Sequence, residues 1–261
     1  MNLRNVTSSS RSSLRSLAAV VALPLAWLVL CGQAKPNPAP VKAHRVLFLG
    51  NSLTYSNQMP LIVEALAKSK GDRLEVSSVT LGGANLEDLW NDGSALREIE
   101  RGGWTVVVLQ QGPSSLLESR VDLRKWTRKF DERIRKAGAR PALYMVWPPK
   151  HRLSFLTDVR MSYSLAAADV KGMFFPAGEA WRAAWRRKPD APLYSGDDFH
   201  PSVAGSYTAA LSIYGVLFGR PLQGLPASLR LRDGSVIDVP PALAAVLQEA
   251  ATEANRKFGK P

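Results

Sequence analysis

Cysteine is almost absent from this sequence: Cys31 stands alone among 261 residues. A disulfide framework within the chain is therefore excluded. Histidine is scarce as well. His44, His151 and His200 lie far apart, and none belongs to a Cys/His cluster of zinc-ligand spacing, so no metal is expected. Internal repeats are lacking. The apolar run Leu17–Leu30 is short for a membrane-spanning helix and contains Pro24. What is present is ordinary for a globular protein, with 46% hydrophobic and 21% charged residues. The length suits one domain with a core large enough to need no covalent staple.

The first 34 residues contain no acidic side chain. Arg4, Arg11 and Arg15 precede the Leu17–Leu30 run, and Gly32-Gln33-Ala34 follows it. Charged, apolar and small-residue regions in that order predict a secretory signal peptide at 1–34, hence a periplasmic or secreted protein. Lipid attachment at Cys31 is an alternative, although Leu30 stands where a small residue is expected. An uncleaved anchor is a third. Residues 35–43, with three prolines, read as a linker into a domain at 44–261.

Formal net charge is +12, and +9 once the three arginines of the leader are removed. The basic residues gather in Arg120–Arg140 and Arg182–Lys188. No motif directed at bases or phosphates accompanies them, so a nucleic-acid partner is not expected. A solvated helix face accounts for the charge, and attraction to an envelope or membrane surface is the other reading.

From residue 44 on, apolar strands alternate with amphipathic helices. Strands are expected at Arg45–Leu49, Leu74–Val79, Trp104–Leu109, Ala142–Trp147 and Met173–Phe175. Helices are expected at Pro60–Lys70, Leu86–Trp90, Asp122–Ala137, Leu153–Val170, after Pro201 to Phe218, and from Leu243 on, with a hairpin around Asp233-Gly234. Strict alternation implies parallel strands and a three-layer α/β/α sandwich. Ligands gather at the carboxyl ends of such strands, so residues just after strands are the functional candidates.

Ser52 follows the first strand in Gly50-Asn51-Ser52-Leu53, where a hydroxyl suits a nucleophile as well as a helix cap. His200 lies in Ser195-Gly196-Asp197-Asp198-Phe199-His200-Pro201, at the mouth of a helix. Asp197, three residues earlier, can fold back onto the imidazole and fix its tautomer for general-base work, with Asp198 as the other orienter. Gly82-Gly83 and Gln110-Gln111 follow the second and third strands and offer donors for an oxyanion, or simply turns. His44 precedes the first strand, at the wrong edge. His151, after Pro148-Pro149, reads as a loop residue within reach of substrate. Trp147, Trp181 and Trp185 suit either sugar-stacking platforms or the core.

The order Ser52, Gly83, Gln111, Asp197 and His200 resembles the SGNH, or GDSL-type, hydrolase superfamily across nearly all of residues 44–261. The resemblance implies a flavodoxin-like, mostly parallel five-stranded sheet and ester hydrolysis without a cofactor. Ser52, His200 and Asp197 would be catalytic, through an acyl-enzyme. Gly83, or Gly82, matches the second-block glycine. Two departures stand out. Asn51 occupies the place where Asp is commonest. The third block, usually Gly-x-Asn-Asp, is here Leu109-Gln110-Gln111-Gly112. Members acting on acetylated sugars often carry Gln-Gly there, which implies Gln111 as oxyanion donor, with Gln110 the alternative. The implied substrate is a short-chain, acetyl ester of a carbohydrate or envelope polymer. Lipid esterase, thioesterase, acyltransferase and non-catalytic binding module are the alternatives.

Overall fold

The computed structural model describes residues 43–261. The leader expected at 1–34, including Cys31, and all of the linker except Ala43 lie outside the described residues. Strand β1 (His44–Gly50) leads into the one-turn helix α1 (Ser52–Tyr55), a 3-10 turn at Ser56–Gln58 and helix α2 (Met59–Ser69). Next come β2 (Leu74–Thr80), α3 (Leu86–Asp92), α4 (Ser94–Arg101), β3 (Val106–Leu109), α5 (Leu117–Lys136) and β4 (Arg140–Tyr144). A 3-10 segment at Lys150–Phe155 precedes α6 (Leu156–Asp169), β5 (Met173–Phe175), α7 (Ala177–Arg187) and α8 (Val203–Phe218). The chain closes with the antiparallel hairpin β6 (Ser228–Arg230) and β7 (Val236–Asp238), then α9 (Pro241–Phe258).

Strands β1 to β5 pair in parallel in the order β2-β1-β3-β4-β5. This is the flavodoxin-like order, and its crevice opens above β1 and β3, where the connections diverge to opposite faces. The inner strands are apolar on both sides because helices cover both sides. Val46–Leu49, Val106–Leu109 and Ala142–Tyr144 are all buried. Helices α2, α7, α8 and α9 pack with one another on one face, and α3 to α6 on the other. In α5, Leu123, Trp126, Phe130 and Ile134 recur every three or four residues and turn inward. The three-layer sandwich expected from the alternation is the fold observed.

Local features differ from expectation, and helix α7 (Ala177–Arg187) is one that was not among the helices expected. Helix α4 was not foreseen: only Ala95 and Ile99 are buried on it, too sparse a stripe to read as a period. Strand β4 stops at Tyr144, although Met145, Val146 and Trp147 remain buried. Much of the basic surface is internally paired. Arg124 and Arg128 both bind Asp169, and Arg186 and Arg187 both bind Glu253.

Candidate active site

The pairing of Leu49 with Leu109 ends β1 and β3 at the same level. Gly50-Asn51-Ser52 and Gln110-Gln111 therefore leave the sheet side by side. A Cβ at Gly50 would lie 2.3 Å from Gln110 Oε1 and 2.4 Å from Thr54 Oγ1, so only glycine fits there. Asn51 builds the turn that follows. Its Oδ1 accepts from the Leu53 N–H and from Gln110 Nε2, each at 3.0 Å, and its Nδ2 donates to the Ala84 carbonyl at 2.9 Å. Because the cap engages Leu53, the Ser52 N–H has no partner among the described residues.

Ser52 Oγ lies 2.9 Å from His200 Nε2, and His200 Nδ1 lies 2.5 Å from Asp197 Oδ2. The structure thus brings the three residues into one hydrogen-bonded row, although Ser52 and His200 lie 148 residues apart in sequence. The loop carrying His200 is closed upon itself. Ser195 N–H donates to the His200 carbonyl at 2.8 Å, and Ser202 N–H to the Leu193 carbonyl at 2.9 Å. Asp197 is exposed yet fixed, because its Oδ1 accepts from Ser195 Oγ at 2.8 Å and from the N–H groups of Phe199 and His200 at 3.0 and 2.9 Å. The His200 ring, then the Ser195 hydroxyl and these two amides, hold its carboxyl well below the usual aspartate range. Asp198 faces away: its carboxylate binds Lys150 Nζ at 3.0 Å.

Gly82 and Gly83 form an exposed turn after β2, and Gly83 has φ +70°, which favours glycine. The turn is tied on both sides to the start of the Ser52 segment. Leu81 N–H donates to the Gly50 carbonyl at 3.1 Å, and the Ala84 carbonyl receives Asn51 Nδ2. The N–H groups of Gly82 and Gly83 have no partner among the described residues.

The two glutamines have separate fates. Gln110 is wholly buried and its amide is fully occupied. Oε1 accepts from Asn51 N–H at 2.9 Å and Thr54 Oγ1 at 2.7 Å, while Nε2 donates to Asn51 Oδ1 and to the Gln111 carbonyl. Both amide protons of Gln110 are thus used inside the protein. Gln111 Oε1 accepts from the Leu86 N–H at 3.2 Å, and Nε2 donates to Ser114 Oγ at 2.9 Å, leaving one amide proton without a partner among the described residues. Tyr163 pins the Gln111 backbone, donating to its carbonyl at 2.6 Å and accepting from its N–H at 3.1 Å. Burial holds the Tyr163 phenol far above its ordinary pKa, so it remains a donor.

The remaining candidates separate by position. His44 begins β1, at the amino edge of the sheet, with its ring edge-on to Phe218. His151 is exposed in the 3-10 segment after β4. Trp147 and Trp181 are buried and stacked on each other at 3.5 Å, so neither offers a face to a sugar. Trp185 is half-buried and stacks with Tyr194 at 5.6 Å beside a cavity of about 470 Å³. Asn57, Ser206, Thr54 and Tyr163 were not singled out from sequence. Asn57 Nδ2 donates to the Pro201 carbonyl at 3.0 Å and to Ser206 Oγ at 2.9 Å.

No protein-family model and no curated protein matches the chain. Solved structures do. A protein from Slackia heliotrinireducens described as a candidate SGNH hydrolase is 28% identical, with a TM-score of 0.54 over 66% of this chain and 98% of that one. A DUF4886 family protein from Bacteroides uniformis has a TM-score of 0.68 at 20% identity, over 82% of this chain and 95% of that one. An acetyl xylan esterase has a TM-score of 0.52 at 17% identity, over 67% of this chain and all (100%) of that one.

Proposed function

We propose that the chain is a member of the SGNH superfamily and a serine hydrolase of carboxylic esters, a reading its fold supports. The observation that carries this reading is the row Ser52 Oγ, His200 Nε2, His200 Nδ1, Asp197 Oδ2, with separations of 2.9 and 2.5 Å. Ser52 Oγ attacks the ester carbonyl carbon as its proton passes to His200 Nε2. The carbonyl oxygen becomes an oxyanion facing the Ser52 and Gly83 N–H groups and the unpartnered amide proton of Gln111. Collapse breaks the ester bond, and His200 returns the proton to the departing alcohol. Water then attacks the acyl-enzyme, giving its proton to His200, and Ser52 leaves as the hydroxyl.

We further propose a short acyl group on a carbohydrate alcohol. A cavity of about 200 Å³ bordered by Ser114, Arg152 and Phe199 beside the His200 loop has room for an acetyl group. The larger cavity, lined by Lys150, Leu153, Trp185, Tyr194 and Asp198, lies against the same loop. Its volume is that of a small-ligand site, about 300–1,000 Å³. Trp185 Nε1 and the Tyr194 hydroxyl are engaged by the Ala191 and Pro148 carbonyls, so ring surface is what these residues present. Lys150 and Asp198 neutralise each other at the rim. An uncharged, hydroxyl-rich ring with one apolar face suits such a groove. Export through the leader at 1–34 completes the proposal, and the mass of the mature protein tests it.

The substrate reading is tested by comparing acetylated polysaccharide with aryl acetate, in the native protein and in Trp185→Ala. Release of acetate from the polymer, with its kcat/KM falling at least tenfold more than that of the aryl ester in Trp185→Ala, supports it. Equal falls for the two substrates, or no release from the polymer, would overturn the carbohydrate part and leave the esterase part standing.

A further inference from the structure

The Ser52 turn and the His200 loop are far apart in sequence, with 148 residues separating Ser52 from His200, and little joins them directly. Between residues 51–58 and 195–206 the described residues make one hydrogen bond through Ser52 and His200. The others all pass through Asn57 or Ser206. Asn57 Nδ2 donates both to the carbonyl of Pro201, the residue next to His200, and to Ser206 Oγ. Ser206 Oγ in turn donates to the Ser56 carbonyl at 3.3 Å, closing a small circuit. Ser206 lies in the first turns of α8 and is 1% exposed, so it gives the circuit a buried, rigid post.

The backbone is shaped for this contact. After α1 the chain passes through two successive left-handed residues, Asn57 (φ 53°) and Gln58 (φ 56°), before α2 begins. Left-handed backbone is disfavoured for residues with a Cβ, and asparagine tolerates it better than most. A glycine would meet the backbone demand alone. An asparagine there meets it and also supplies the two donors that reach across to the His200 loop.

We propose that Asn57 is a positioning residue that sets the separation of Ser52 Oγ and His200 Nε2 by clamping Pro201 and Ser206 to the nucleophile turn. The proposal rests on the assignment of Ser52 and His200 made above. It follows from the steep distance dependence of proton transfer and attack, since a displacement of about 1 Å costs about 10²-fold in rate.

The test uses Asn57→Gly, which keeps the left-handed backbone and removes the amide, with Ser206→Ala as a milder second variant that keeps the bond to Pro201. Aryl-ester kinetics should show kcat reduced about 10- to 100-fold in Asn57→Gly and less in Ser206→Ala, with KM within about twofold of native. In a Ser52→Ala background, Asn57→Gly should leave the residual rate where it was, because the clamp acts only through the serine–histidine pair. A native kcat in a folded Asn57→Gly protein would overturn the clamp. So would a rate loss that merely follows the folded fraction in a melting curve. Native-like turnover in Ser52→Ala would instead sink the underlying assignment.

Discussion

Asn51 and Gln110 exchange two hydrogen bonds across the carboxyl ends of β1 and β3: Asn51 N–H donates to Gln110 Oε1 at 2.9 Å, and Gln110 Nε2 returns to Asn51 Oδ1 at 3.0 Å. The pair explains the departure at position 51. Asparagine both accepts, from Leu53 N–H and Gln110, and donates, to the Ala84 carbonyl. An aspartate could only accept. Asn51→Asp should therefore lower stability by about 1–3 kcal/mol, since it leaves the buried Ala84 carbonyl unpaired and adds a charge at a site only 5% exposed. Urea unfolding measures this; unchanged stability would mean that the Ala84 contact contributes nothing.

Gln110 and Gln111, neighbours in sequence, should respond in opposite ways. Gln110→Ala removes the partner of Asn51 N–H and Thr54 Oγ1 and should destabilise the fold by roughly 1–3 kcal/mol for each buried group left unpaired. Gln111→Glu keeps an acceptor for Leu86 N–H but discards the amide protons. It should reduce kcat by about 10²–10³ while the melting temperature changes less than in Gln110→Ala. Kinetics and melting curves on both variants check the contrast.

Asp197→Asn should lower kcat by roughly 10²–10⁴, because an amide at this position no longer fixes the tautomer that leaves Nε2 free to take the Ser52 proton. The pH dependence has a definite sign. The Asp197 carboxyl is held below its ordinary value in the folded chain. Its stabilising contribution is therefore present above about pH 4, the usual aspartate value, and is lost as pH falls toward the depressed one. The difference in melting temperature between native protein and Asp197→Asn should shrink below that pH; a difference that widened on acidification would contradict the assignment.

The fold was legible because parallel strands covered on both faces leave continuous apolar runs, as in Val106–Leu109, and an amphipathic helix such as α5 repeats at 3.6 residues. The triad candidates were legible because Asp197 and His200 are local to each other and Ser52 sits at a strand end. The contacts of Gln110, Asn57 and Ser206 were not. They rest on hydrogen bonds spanning 56 to 150 residues, which leave no period and no local motif. Likewise the choice between core and platform for Trp147 and Trp181 depends on how α7 packs against the segment after β4, and only the stacked pair itself reveals it.

The proposed hydrolase depends on Ser52 acting as a nucleophile activated by His200. Incubation with a fluorophosphonate, followed by peptide mass spectrometry, probes that chemistry at the atom concerned. One covalent adduct is expected, located on Ser52, absent in Ser52→Ala and formed at least about 10²-fold more slowly in His200→Ala. An adduct on another side chain, no adduct in the folded native protein, or labelling of Ser52 at an undiminished rate without His200 would contradict it.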